Sequence, residues 1–86
     1  MPEIARFFGI IIRMYFGDHP QPHFHAYYNQ YEAVIDIKSG KVQGDLPPRI
    51  LGFILEWLAI HRLELVENWE LAKAKKPLKK IPGLDE

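Results

Sequence analysis

The sequence predicts an α+β fold of two layers, in which an antiparallel β-meander of three to four strands packs on one long or broken C-terminal α-helix. Three observations lead there. The first half alternates apolar and polar residues in short runs divided by turn residues, the pattern of half-buried strands. The second half, from Arg49 to about Lys76, has no proline and repeats apolar residues at spacings of three and four, the pattern of a helix. The chain has 86 residues, which suits one core and is too few for two. Residues 1–76 are read as the single domain and 77–86 as a C-terminal tail. Stability from so small a core is modest, and association into a homodimer would supplement it.

Phe7 to Phe16 is rich in β-branched and aromatic residues and ends at Gly17-Asp18, so it reads as the first strand. Phe8, Ile10, Ile12, Met14 and Phe16 would face the core, with Phe7, Ile11, Arg13 and Tyr15 on the other side. Gly17 to Pro22 is a loop, because Pro20 and Pro22 have no N–H to donate. His23 to Tyr28 and Tyr31 to Lys38 alternate as two strands joined by a tight turn at Asn29-Gln30. A two-residue turn pairs Phe24 with Ile35 and Ala26 with Ala33 on an apolar face. It pairs His23 with Asp36, His25 with Val34 and Tyr27 with Glu32 on the reverse. A slip of one residue would scramble this sorting, which is the argument for the hairpin. Lys41 to Gln43 is a short edge strand, and Gly44 to Pro48 leads into the helix with proline in its first turn.

The helical stripe runs Ile50, Ile54, Leu58, His61, Leu65, Trp69 and Ala72. Phe53, Trp57 and Ile60 widen it, so either the helix breaks near His61-Arg62 or the extra surface meets a partner. Lys73, Lys75 and Lys76 complement the C-terminal dipole before Pro77.

Hydrophobic residues make up 48% and charged residues 26% of the chain, as in a folded soluble domain. Eleven basic and eleven acidic residues give no net charge, so net charge does not indicate nucleic-acid binding. The absence of cysteine removes thiolate chemistry and fits a reducing cytoplasm. No apolar run approaches the ~20 residues of a membrane span, and no secretory leader is evident. The expectation is a cytoplasmic protein with no membrane association.

The densest chemistry is Asp18-His19-Pro20-Gln21-Pro22-His23-Phe24-His25, with three of the four histidines in seven residues. Together with Ile4-Ala5-Arg6-Phe7-Phe8-Gly9, Tyr31-Glu32-Ala33, Asn68-Trp69-Glu70 and Pro77-Leu78-Lys79-Lys80-Ile81, this stretch resembles a small bacterial family catalogued as domain of unknown function 4160. The family pattern has a proline where this chain has Gln21, a change that loosens the loop without touching the histidines. The resemblance implies no mechanism. Its genes often neighbour a second small domain, which implies a protein partner in a toxin–antitoxin-like pair.

The residues themselves offer further readings. His23 and His25, two apart on a strand, project to one side and could share a divalent metal such as zinc, with His19 and Asp18 as further ligands. Asp36 or Glu32 could complete the set. The plainer account is ordinary strand histidines, His23 bonded to Asp36. A metal-free alternative makes His23, His25 and Asp36 an acid–base site, with Arg13 and Tyr15 holding an anion if their strand lies adjacent. Lys75, Lys76, Lys79 and Lys80 could contact nucleic-acid phosphate, although a solvated helix end opposing nearby glutamates is the commoner reason for such a cluster. Two functions are therefore expected: an interaction module with a protein partner, or a metal- or histidine-dependent hydrolase or ribonuclease.

Overall fold

A computed structural model describes residues 3–15 and 21–86. Its strands are β1 (Glu3–Phe7), β2 (Ile10–Arg13), β3 (His23–Tyr28), β4 (Tyr31–Asp36) and β5 (Val42–Asp45), followed by the helix α1 (Pro48–Lys73). The sheet order is β1-β2-β3-β4-β5 with every neighbouring pair antiparallel. The predicted two-layer α+β meander is present, with five strands among the described residues where three to four were expected.

The additional strand is β1, which lies ahead of the stretch Phe7 to Phe16 read as the first strand and shares only Phe7 with it, the chain reversing at Phe8-Gly9. Phe8 and Gly9 both take positive φ, 53° and 79°, and Phe7 pairs with Ile10. Two positive-φ residues between paired strands make the tight turn whose twist suits a hairpin. The turn reverses the predicted orientation of its flanks. Phe7 is buried and Phe8 is 48% exposed, whereas Ile10, Ile12 and Met14 are buried as expected. Phe16 lies outside the described residues.

The β3–β4 register agrees with the prediction at each position, from His23 opposite Asp36 to Tyr28 opposite Tyr31, around a turn in which Asn29 has φ 52°. Phe24, Ala26, Ala33 and Ile35 accordingly form one buried face. At the far edge only glycine fits position 44. Its φ is 119°, and a Cβ there would stand 2.6 Å from the Glu32 carbonyl oxygen.

The helix covers the apolar face. Trp57 is fully buried, with ring centroids 5.5 Å from Phe7 and 5.7 Å from Phe24. It is thus a core residue and not part of a surplus surface. Of the two alternatives left open by the widened stripe, a break is present, at His61, whose φ −111° and ψ 22° are non-helical. Beside it, Arg62 Nε donates to the Ile37 carbonyl at 3.0 Å, which ties the bend to the end of β4.

The helix stops before Pro77. Lys75 N–H donates to the Ala72 carbonyl and Lys76 N–H to the Leu71 carbonyl, with Lys75 at φ 59°. This is a Schellman ending with lysine where glycine is favoured. Lys75→Gly should therefore raise the unfolding free energy by about 1 kcal/mol, read as a higher denaturant midpoint at constant slope.

The segment after the helix lies on β1. Ile81 N–H donates to the Ile4 carbonyl at 2.8 Å, and Ile81 is buried. The buried Asn68 holds both backbone groups of Lys79, at 2.8 and 2.9 Å, and Trp57 Nε1 donates to the Pro82 carbonyl at 2.8 Å. Among the described residues no helix is long and apolar enough to cross a membrane.

Candidate functional site

One face of the sheet lies under the helix, and alternation puts Arg13, His25, Tyr27 and Glu32 on the other, while His23, at the start of β3, is buried and reaches Trp69 of the helix. Because β2 pairs with β3, Arg13 stands opposite His25. The adjacency needed for an anion site therefore exists. Tyr15 meets the His25 ring edge-on at 4.7 Å between centroids, and its hydroxyl is 2.7 Å from that of Tyr27. The Arg13 guanidinium lies over the Tyr27 ring, 5.2 Å from its centroid. His25 Nδ1 is 3.6 Å from Glu32 Oε2 across the β3–β4 pair. Burial, and next the hydrogen bond with Tyr15, push the Tyr27 phenol well above its ordinary range, so Tyr27 keeps its proton.

The predicted site residues divide. His23 and His25 do approach each other, with ring centroids 5.4 Å apart. Two imidazoles bound to one tetrahedral zinc ion have centroids roughly 5 Å apart, so this spacing fits a shared ion. His23 is also packed 5.0 Å from Trp69, and its Nδ1 is 2.9 Å from the Gln21 carbonyl oxygen. Asp18 and His19 lie outside the described residues. Among the described residues no group of three or more His, Asp or Glu side chains is placed to hold a metal.

Asp36 faces His23 in register, yet its Oδ1 accepts the N–H groups of Ser39 at 2.8 Å and Lys38 at 2.9 Å. Those bonds, Ser39's first, hold its carboxyl below the usual range and make it the cap of the turn after β4. At this site it is Glu32 whose carboxylate approaches a histidine ring, that of His25. Both pairings follow from the same register, so the sequence named the candidates without deciding between them.

The basic cluster is largely engaged at the helix end. Lys73 pairs with Glu70 at 3.7 Å and Lys79 with Glu67 at 2.7 Å, while Lys80 donates to the Glu3 carbonyl. Lys75 and Lys76 form the helix-ending turn.

A second surface was not foreseen from the sequence. Phe8 packs on Phe53 with tilted rings, centroids 5.0 Å apart, and the Arg49 guanidinium lies 5.5 Å from the Phe53 centroid. Ile60, seven residues along the helix from Phe53, and Leu63, three further on and past the bend at His61, are 61% and 86% exposed. This apolar ridge was legible only in part, in the surplus apolar residues Phe53 and Ile60. Its tip was hidden because Phe8 had been assigned to the core.

Comparison with known proteins agrees with the resemblance seen in the sequence. No curated protein and no solved structure matches the chain. The family model described as a domain of unknown function (DUF4160) matches residues 9–70, which include β2 to β5, most of the helix and all the histidines. The chain belongs to the DUF4160 family.

Proposed function

We propose that this protein is a small interaction module that binds a second small protein through the ridge formed by Phe8, Phe53, Ile60 and Leu63, as one component of a cytoplasmic toxin–antitoxin-like pair. The observation that carries the reading is Phe8. A bulky aromatic residue held at φ 53° is strained by about 1 kcal/mol or more, and asparagine or glycine would serve the turn better. Half exposed, Phe8 gives the core little in return. A strained aromatic residue left half exposed, with only its contacts to Phe7 and Phe53 to offset the strain, points to a role in binding, where aromatic anchors dominate. The gene-neighbour pattern implied by the family resemblance supplies the class of partner.

Phe8→Asn separates the roles. The variant should melt at the same or a higher temperature and lose co-purification with the protein encoded beside it. Retention of the complex would remove Phe8 from the interface. Sedimentation showing a homodimer that Phe8→Asn dissociates would assign the ridge to a second copy of the chain.

A second reading, a metal- or histidine-dependent hydrolase or ribonuclease, is favoured by the His25–Glu32 approach and the His23–His25 spacing. In its metal-free form Glu32 orients His25 as general base and Arg13 stabilises developing charge. His25→Asn should then lower turnover of single-stranded RNA by about 10²–10⁴-fold with the fold intact. In its metal form, zinc measured by elemental analysis should disappear in the His23→Ala/His25→Ala double variant. Neither turnover nor zinc in the parent protein would end this reading.

A further inference from the structure

We infer that the exposed sheet face carries a phosphate-binding site centred on Arg13. It requires neither hydrolysis nor the partner ridge.

Arg13 Nε is shielded from solvent and has no hydrogen-bond partner among the described residues, and none of the described carboxylates forms an ion pair with this guanidinium. The carboxylates around it are engaged. Glu3 is held by Arg6 through two bonds of 2.9 and 2.7 Å, and Glu32 lies beside His25 across β3. A partly buried cation without a counter-ion is unfavourable, and the planar guanidinium fork matches phosphate oxygens two at a time. The Tyr27 ring lies under the guanidinium, 5.2 Å from it, and supports it by a cation–π contact.

The tyrosine pair adds a donor. In the 2.7 Å contact between the Tyr15 and Tyr27 hydroxyls one O–H donates and the other proton is left to donate elsewhere. No other described residue accepts it, and Tyr27 lies directly against the Arg13 guanidinium. A phosphate approaching from the β2 side meets the guanidinium and this hydroxyl, with His25 opposite Arg13. Glu32, on β4 opposite Tyr27, is a carboxylate facing this site; its approach to His25 at 3.6 Å offsets part of its repulsion of an anion that enters from the β2 side.

The test is an NMR titration of the full chain with inorganic phosphate, a nucleoside monophosphate, a short oligouridylate and acetate, following the Nε–H resonance of Arg13. Phosphate-bearing ligands should shift it, acetate should not, and Arg13→Gln should weaken binding by about tenfold or more. Tyr27→Phe removes only a hydroxyl and should weaken binding several-fold. Phe8→Asn should leave the titration unchanged, which keeps this result separate from partner capture. Tighter binding of oligouridylate than of inorganic phosphate would identify a polynucleotide as the source, and equal binding would identify the free anion. No shift with any phosphate ligand overturns the site, as does equal binding of acetate or affinity that survives Arg13→Gln.

Discussion

Trp57→Ala should lower the unfolding free energy by about 3–5 kcal/mol, most of what a domain of this size has to lose. The indole is fully buried between Phe7 and Phe24, so the change opens a cavity where α1, β1 and β3 meet. It also removes the Nε1–H bond to the Pro82 carbonyl. Urea denaturation followed by circular dichroism measures the loss. Trp57→Phe keeps much of the volume and should cost less, about 1–3 kcal/mol, because it leaves the carbonyl without its donor and only a smaller void. A Trp57→Ala protein that unfolds at the parent's midpoint would show that the helix is held by other contacts.

Asn68→Leu is the second large effect, about 2–4 kcal/mol, and its cause is different. Asn68 is buried on the helix and acts like a strand partner, with its carboxamide satisfying the N–H and C=O of Lys79. Leucine keeps the branching at Cγ, although it is bulkier, and can do neither. The stability loss should come with faster amide exchange at Lys79 and Ile81, because releasing the segment lets water satisfy those groups. Loss of stability with unchanged exchange there would assign the effect to packing alone.

Much of this architecture was legible in the sequence because its hydrophobic pattern is unambiguous. The His23–Asp36 and Tyr28–Tyr31 pairings follow from one two-residue turn, since a slip of one residue would turn His25 towards the helix in place of Phe24. The break at His61 was foreshadowed by apolar residues too widely spread for one straight stripe. The Phe8-Gly9 hairpin was not legible. Phe8 carries neither the short polar side chain nor the backbone freedom that announces such turns, and an apolar run conceals a reversal within it. Asn68 and Ile81 escaped notice for another reason: their role depends on a contact between distant parts of the chain, which periodicity does not encode. At the candidate site the sequence supplied the histidines, Arg13 and Tyr15 on neighbouring strands. It could not show that Asp36 would cap a turn while Glu32 reached His25, because side-chain direction beyond the face is set by local hydrogen bonds.

The contact of Ile81 with Ile4 has a kinetic consequence. Strands in a meander can pair one after another through short loops, and such local closures are rapid. Joining segment 78–84 to β1 spans nearly the whole polypeptide, with a sequence separation of 77 from Glu3 to Lys80, so its entropic toll is the largest in the molecule. That docking should complete the folding reaction, and its release should be the earliest step when a protease or denaturant begins to open the domain.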